Sequence, residues 1–271
     1  MDPALDLPIH LVEASNETWA EVIGLIESLE TDDWGRPTPC VGWSVKDVLA
    51  HLGHVEGLLV HQFEQPEPPA DFRSEGSPLD QVTGLGVAAR RPWSPAQVFD
   101  EIRRAAEATR LLLSRRDLDW QATALTPVGP APRHVAVEMR VNDVYLHLLD
   151  VKTAIGSGID VPAAPRGKQI AIGRAVRLSP WAWAKRVGAV EDQRLRLSLT
   201  GVGGVDHDVV MREGKAVVES RGGTPNATVA GSALAYLLAV SGRHELVPAG
   251  GGLVAHGPLA QDLLEKFRLV G

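Results

Sequence analysis

His51 and His54 stand three apart in HLGHVEG, inside an apolar run with helical spacing. Much further along the chain, Asp143 and His147 stand four apart in DVYLH. On a helix, residues three or four apart share a face, so each pair stacks its side chains on one side. One donor from the first segment and two from the second, Asp143 and His147, would give a divalent ion three protein ligands. That leaves a position open for water or substrate, the pattern of a catalytic rather than a structural metal site. Imidazole nitrogens with one carboxylate suit Zn²⁺ best, and Ni²⁺, Fe²⁺ or Co²⁺ are also accepted. On spacing alone the plainer reading carries more weight. D-x-x-x-H is common on helices by chance, which would make His51 a half-buried helix residue and Asp143–His147 a local ion pair.

Side chains of this kind are held on facing helices of bundles, and the sequence supplies the helices. Leu11, Trp19, Val22, Ile23, Ile26 and Leu29 recur at helical spacing over 11–29. A second helix over 44–63 opens on Ser44 with Asp47 three residues on, a shortened capping box. Ser94-Pro95 caps a third over 94–114, and 134–156 ends on Gly156; a fifth covers about 166–187. The Pro/Gly-rich connection 64–93 is long enough to be a lid-like loop.

All seven tryptophans lie in the first 183 residues, and beyond them the chain turns to short Gly/Val-rich runs. The alternating segments 194–200, 207–211 and 215–220 read as an antiparallel meander. NATVAG and GGLVAHG each read as a strand followed by a glycine-linked helix. The expectation is therefore an α + α/β two-domain protein. A helical bundle spans 1–188, and a small α+β domain with an antiparallel sheet spans 189–271.

Composition narrows the partners. With 44% hydrophobic and 23% charged residues the chain is that of an ordinary soluble globular protein. A net charge of -7 offers no electrostatic footprint for nucleic acid or anionic lipid. No apolar run is long enough to span a membrane, and MDPALDLPIH lacks a signal peptide's apolar core. A single cysteine fits a reducing, cytoplasmic setting. Neither G-x-G-x-x-G at a strand–helix junction nor G-x-S-x-G occurs, so neither a nucleotide cofactor nor a serine nucleophile is indicated.

Several residues near the candidate ligands have two readings. Asp150, one turn past His147, can orient a ligand imidazole or serve as a helix-end contact. His54 is expected to line the pocket rather than complete the ligand set, and His61 to be solvated. Cys40 has no basic neighbour in sequence and reads as a small buried residue. Arg140 is expected to pair with acids near its own helix, such as Glu138, or with a neighbouring segment.

Two motifs give the chain a family likeness. T-P-C-V-G-W-S-V-K-D-V-L-A-H-L (38–52) resembles the T-x-C-x-G-W-[ST]-V-x-D-x-x-x-H-L signature of mycothiol-dependent maleylpyruvate isomerase-like proteins, within the DinB-like four-helix superfamily. R-V-N-D-V-Y-L-H-L-L-D (140–150) is similar to that family's R-x-x-E-x-x-x-H-x-W-D helix, and V-S-G-R (240–243) to the T-G-R of its sterol-carrier-protein-like second domain. The resemblance implies a metal triad of His51, Asp143 and His147, with mycothiol as cosubstrate or cofactor. It also implies that Arg243 grips a carboxylate of substrate or thiol. Asp143 stands where the family has glutamate, one methylene longer, and Leu149 stands where it has tryptophan.

A thiol with a pKa of about 8.5 is mostly protonated at neutral pH, and a divalent cation on the sulfur deprotonates it. The thiolate would then add to and leave an unsaturated acid, as in an isomerase, or remain attached, as in an S-transferase. The departures at Asp143 and Leu149 favour transfer. Two other readings stay open: a non-catalytic binding or regulatory protein that keeps the fold, and metal-assisted rearrangement without thiol. The partners expected are a small-molecule substrate and mycothiol, with the protein a monomer or homodimer.

Overall fold

A computed structural model of the chain describes residues 3–60, 67, 69–70, 72–73, 78–126, 128–159, 164–247 and 252–269. The chain forms two compact units, Met1–Gly167 and Lys168–Gly271.

The first unit is built on four long helices: α1 (Pro3–Glu27), α2 (Val45–Val60), α4 (Pro95–Leu113) and α5 (Arg133–Ala154). Their starts and stops follow from local chemistry. At α2, the Ser44 hydroxyl accepts from the Asp47 N–H while the Asp47 carboxylate accepts from the Ser44 N–H. At α4, Ser94 and Gln97 make the same reciprocal pair, with Pro95 opening the first turn. α5 ends where Gly156 takes a φ of 75°, which lets the Ser157 N–H reach back to the Lys152 carbonyl.

α1 packs on α5 and α4, and α2 on α4 and α5. Their shared core holds Leu11, Trp19, Val48, Leu52, Val98, Ile102, Val144 and Leu148. From Val141 to Lys152 α5 is buried almost all round, so its polar residues there must be paired or put to use.

Two elements were not expected from the sequence. A short helix, α3 (Pro78–Arg90), lies inside the 64–93 connection and packs on α2; its mixed Gly and polar content hides its period. A hairpin of β1 (Thr123–Thr126) and β2 (Gly129–Pro132) leads into α5. His61 lies outside the described residues.

The second unit carries one sheet in the order β5 (Lys215–Glu219), β4 (Asp206–Arg212), β3 (Arg194–Thr200), β6 (Ala227–Ser232), β7 (Leu253–His256). The expected meander β3–β4–β5 is antiparallel, as is β6–β7, but β6 joins β3 in parallel. Helices α7 (Ala233–Val240) and α8 (Pro258–Lys266) follow β6 and β7, as the two strand–glycine–helix segments suggested.

The division between units falls ahead of the change in composition. Most of α6 (Pro165–Ala182) belongs with the sheet: its Ser179 hydroxyl meets the Tyr236 hydroxyl at 2.7 Å, both buried. Trp181 and Trp183 lie in the second unit, so the change in tryptophan content does not follow the division between units. Among the described residues no helix is long and apolar enough to cross a membrane.

Candidate metal centre

The turn before α2 is shaped by the T-P-C-V-G-W motif. Thr38 accepts from and donates to the chain around it: its N–H and hydroxyl both reach the Trp43 carbonyl, and its hydroxyl accepts from the Cys40 N–H. Gly42 turns the chain with a φ of 78°. The turn delivers the Trp43 ring over the two histidines, 5.2 Å from His51 and 6.4 Å from His147 between centroids.

α2 and α5 then bring the three sequence-predicted ligands together. His51 and His147 are 5% and 6% exposed, and Asp143 is half-buried between them. His51 Nε2 lies 3.4 Å from Asp143 Oδ2, and His147 Nε2 lies 3.7 Å from Asp143 Oδ1. All three donor atoms fall within 4.8 Å of one another.

This geometry fits a divalent ion. Donors about 2.0–2.2 Å from a tetrahedral zinc stand about 3.3–3.6 Å from each other. Both ring nitrogens of His51 are buried without a hydrogen-bond partner, an expense that a native interior rarely leaves in place without a ligand. His147 is oriented for the same purpose. Its Nδ1–H donates to Asp150 Oδ2 at 2.9 Å, which turns Nε2 toward Asp143 and His51. Asp150 is fully buried, so it has one fixed position from which to hold the ring.

The charges of the site differ sharply from residue to residue. Burial drives the His51 pKa down to about 4 despite the nearby Asp143 carboxylate, so its imidazole is neutral at neutral pH. Burial acts the same way on His147, but the Asp143 charge and the hydrogen bonds to Asp150 and Cys40 outweigh it and raise it to about 10. Burial would lift Asp143, yet the Arg140 guanidinium and the two histidines hold it well below the usual carboxylate range. The centre therefore presents an anion, a neutral imidazole and an imidazolium.

Three further residues complete the site, and of these the pairing of Arg140 with an acid of its own helix and one of a neighbouring segment was expected. Arg140 donates from Nη1 to Asp143 Oδ2 at 2.5 Å and from Nε to Glu56 Oε2 at 3.0 Å. Glu56, buried on α2, accepts in turn from the Thr109 hydroxyl of α4 at 2.5 Å. A glutamate in the apolar run GHVEGLLV was the available signal for this link. Cys40 is the third. Its thiol donates to Asp150 Oδ2 at 3.2 Å and lies 3.7 Å from His147 Nδ1. The expectation that Cys40 has no basic neighbour is thus corrected, because its neighbour comes from α5 and no local pattern announces it.

The other named residues lie elsewhere. His54 accepts on Nδ1 from Arg90 of α3 at 3.3 Å, and Arg90 also grips Glu101 with two bonds of 2.6 Å. His54 is thus brought to α3, not to the ligand trio. Arg243 is buried in the second unit, where Nη1 donates to the Ser241 carbonyl. Leu149 is fully enclosed on α5.

Comparison with known proteins identifies the family and the fold. The family model for the mycothiol maleylpyruvate isomerase N-terminal domain matches residues 16–152, just over half of the chain. Two uncharacterized proteins of Mycobacterium tuberculosis, Rv0738 of strain H37Rv and MT0763 of strain CDC 1551, are each 28% identical over 153 residues. The alignment covers 56% of this chain and 71% of theirs. Among solved structures, the crystal structure of the mycothiol-dependent maleylpyruvate isomerase superposes with a TM-score of 0.59 at 17% identity. A histidine-to-alanine mutant of it gives 0.57 at 16%, and each match covers 92% of both chains.

Proposed function

The chain belongs to the mycothiol maleylpyruvate isomerase family, and from that premise we propose that it is a metal- and mycothiol-dependent enzyme acting on an electrophilic small molecule. The observation that carries the reading is the trio His51, Asp143 and His147, with the His51 nitrogens bare in an interior where most polar atoms are paired. A divalent ion held there would act as a Lewis acid that draws the proton from an incoming thiol.

The protein's own groups do the rest. Asp150 keeps the His147 ring turned so that Nε2 faces the ion's position. Trp43 covers one side of the two imidazoles and keeps bulk water from them. Arg243 is our candidate for a two-pronged grip on a carboxylate of mycothiol or substrate. Of the two reaction types, we favour S-transfer, because aspartate at 143 and leucine at 149 reshape a centre that the family builds with glutamate and tryptophan.

The test is direct. Full-length protein is purified, its Zn²⁺, Ni²⁺, Fe²⁺ and Co²⁺ are counted, and it is incubated with mycothiol and candidate electrophiles. Metal at one per chain with stoichiometric loss of free thiol supports transfer; turnover with thiol conserved points to isomerisation. Protein with no bound metal, or turnover that ignores mycothiol, sinks the proposal.

A further inference from the structure

Asp143 is held from two sides, and the two sides compete for the same oxygen. Oδ2 is the atom nearest His51 Nε2, at 3.4 Å, and it is also the atom that accepts from Arg140 Nη1 at 2.5 Å. A charge-assisted contact that short is the strongest polar interaction the carboxylate makes. Arg140 is not free to yield it. Its Nε is fixed to Glu56 of α2, and Glu56 is fixed to Thr109 of α4, so the guanidinium is braced by two helices besides its own. Its Nη2 is buried without a hydrogen-bond partner, which shows that the two carboxylates, not Arg140's own full pairing, set its position.

We infer that Arg140, braced by Glu56 and Thr109, is a positioning residue that restricts Asp143 to one oxygen as a metal ligand. The arginine keeps Oδ2 and leaves Oδ1, which faces His147 Nε2 at 3.7 Å, for the ion. A free aspartate can close both oxygens on a cation; a tethered one gives a single bond and leaves more of the coordination sphere open. For a centre that must accept a thiol and still approach a second reactant, that spare position is the functional gain. The shorter side chain at 143 makes the brace more consequential, because aspartate has less reach with which to escape it. This inference rests on the metal reading of the site, and its test separates the two.

Full-length protein is loaded with Co²⁺, whose visible absorption weakens stepwise as its ligands rise from four through five to six. Arg140→Gln, Arg140→Lys and Glu56→Gln are compared with the parent at one Co²⁺ per chain, with circular dichroism as the check on folding. Arg140→Gln releases Oδ2, so absorption per bound Co²⁺ is expected to fall severalfold. Arg140→Lys follows it, because an ammonium point charge does not reproduce the guanidinium's fixed fork between Glu56 and Asp143. Glu56→Gln gives a smaller drop in the same direction. Should Arg140→Gln fail to fold, the other two variants carry the comparison. Parent-like spectra in the folded variants overturn the inference and leave the metal reading intact. A parent protein that takes up no Co²⁺ overturns both.

Discussion

Two enclosed aspartates, one in each unit, show what separates a structural charge from a working one. Asp208, on β4, is fully buried, yet nothing about it is left wanting. Arg194 Nη1 donates to it at 2.9 Å, Arg196 grips it with Nε and Nη2 at 2.9 and 3.1 Å, and the Gly222 N–H adds a bond at 2.9 Å. Asp143, on α5, has Arg140 as its one close donor among the described residues, while the nitrogens of His51 and His147 stand at 3.4 and 3.7 Å. Both carboxylates are pulled below their ordinary range. The first spends all its acceptor capacity on the fold; the second keeps part of it in reserve. Reserve of that kind costs stability, and its persistence in a packed interior is the mark of a binding site.

That contrast can be broken at either end. The largest effect is expected from His51→Ala, which should abolish stoichiometric metal and the activity that depends on it while leaving the thermal midpoint of the metal-free protein nearly unchanged. Metal counting beside a melting curve checks both halves; a large drop in metal-free stability would make His51 a structural residue like those around Asp208.

The reverse is expected of Asp208→Ala, which strips two partly exposed arginines of their partner and should cost about 3 kcal/mol in urea unfolding. Metal uptake by the folded variant should stay at the parental level.

Acid should reproduce part of this loss. Burial opposes ionisation of Asp208, but the hydrogen bonds from Arg196, Gly222 and Arg194 hold its pKa down to about 2. A carboxyl with a lowered folded pKa stabilises the protein above its unfolded value, near 4, and loses that contribution as pH falls toward 2. About 2 kcal/mol should disappear across that window. Unfolding free energies of the parent and Asp208→Ala should therefore converge as pH drops from 4 to 2. Curves that stay parallel would remove Asp208 from the account.

The smallest effect is expected from Cys40→Ser, which keeps a donor for Asp150. Stability should move by less than about 1 kcal/mol, and metal affinity by little. A large loss of metal would promote Cys40 from partner of Asp150 to ligand.

Much of this was written locally in the chain. The capping serines, the helical spacing and the alternation of β3 located most elements to within a few residues; face-sharing on two helices gave the candidate ligands, and the family motifs narrowed them to His51, Asp143 and His147. What escaped was non-local or masked by composition. The parallel pairing of β6 with β3 depends on how distant strands meet, which periodicity does not report. α3 was hidden by its glycines. Glu56 and Cys40 belong to the site only because α5 arrives beside them; Glu56 stood out only as a charge in an apolar run, and Cys40 had no basic neighbour in sequence.

The brace around Asp143 also sets the centre's charge balance. Asp143, Glu56 and Asp150 carry three formal negative charges and Arg140 one positive, so with both imidazoles neutral the cluster is left with two negative charges. A proton on His147 cancels only one of them. A dication cancels both, and an enclosed cluster pays heavily for any charge left over. On the metal reading of the site, valence would be selected before any ligand distance is considered: a monovalent ion would leave the cluster anionic, and a trivalent one would make it cationic.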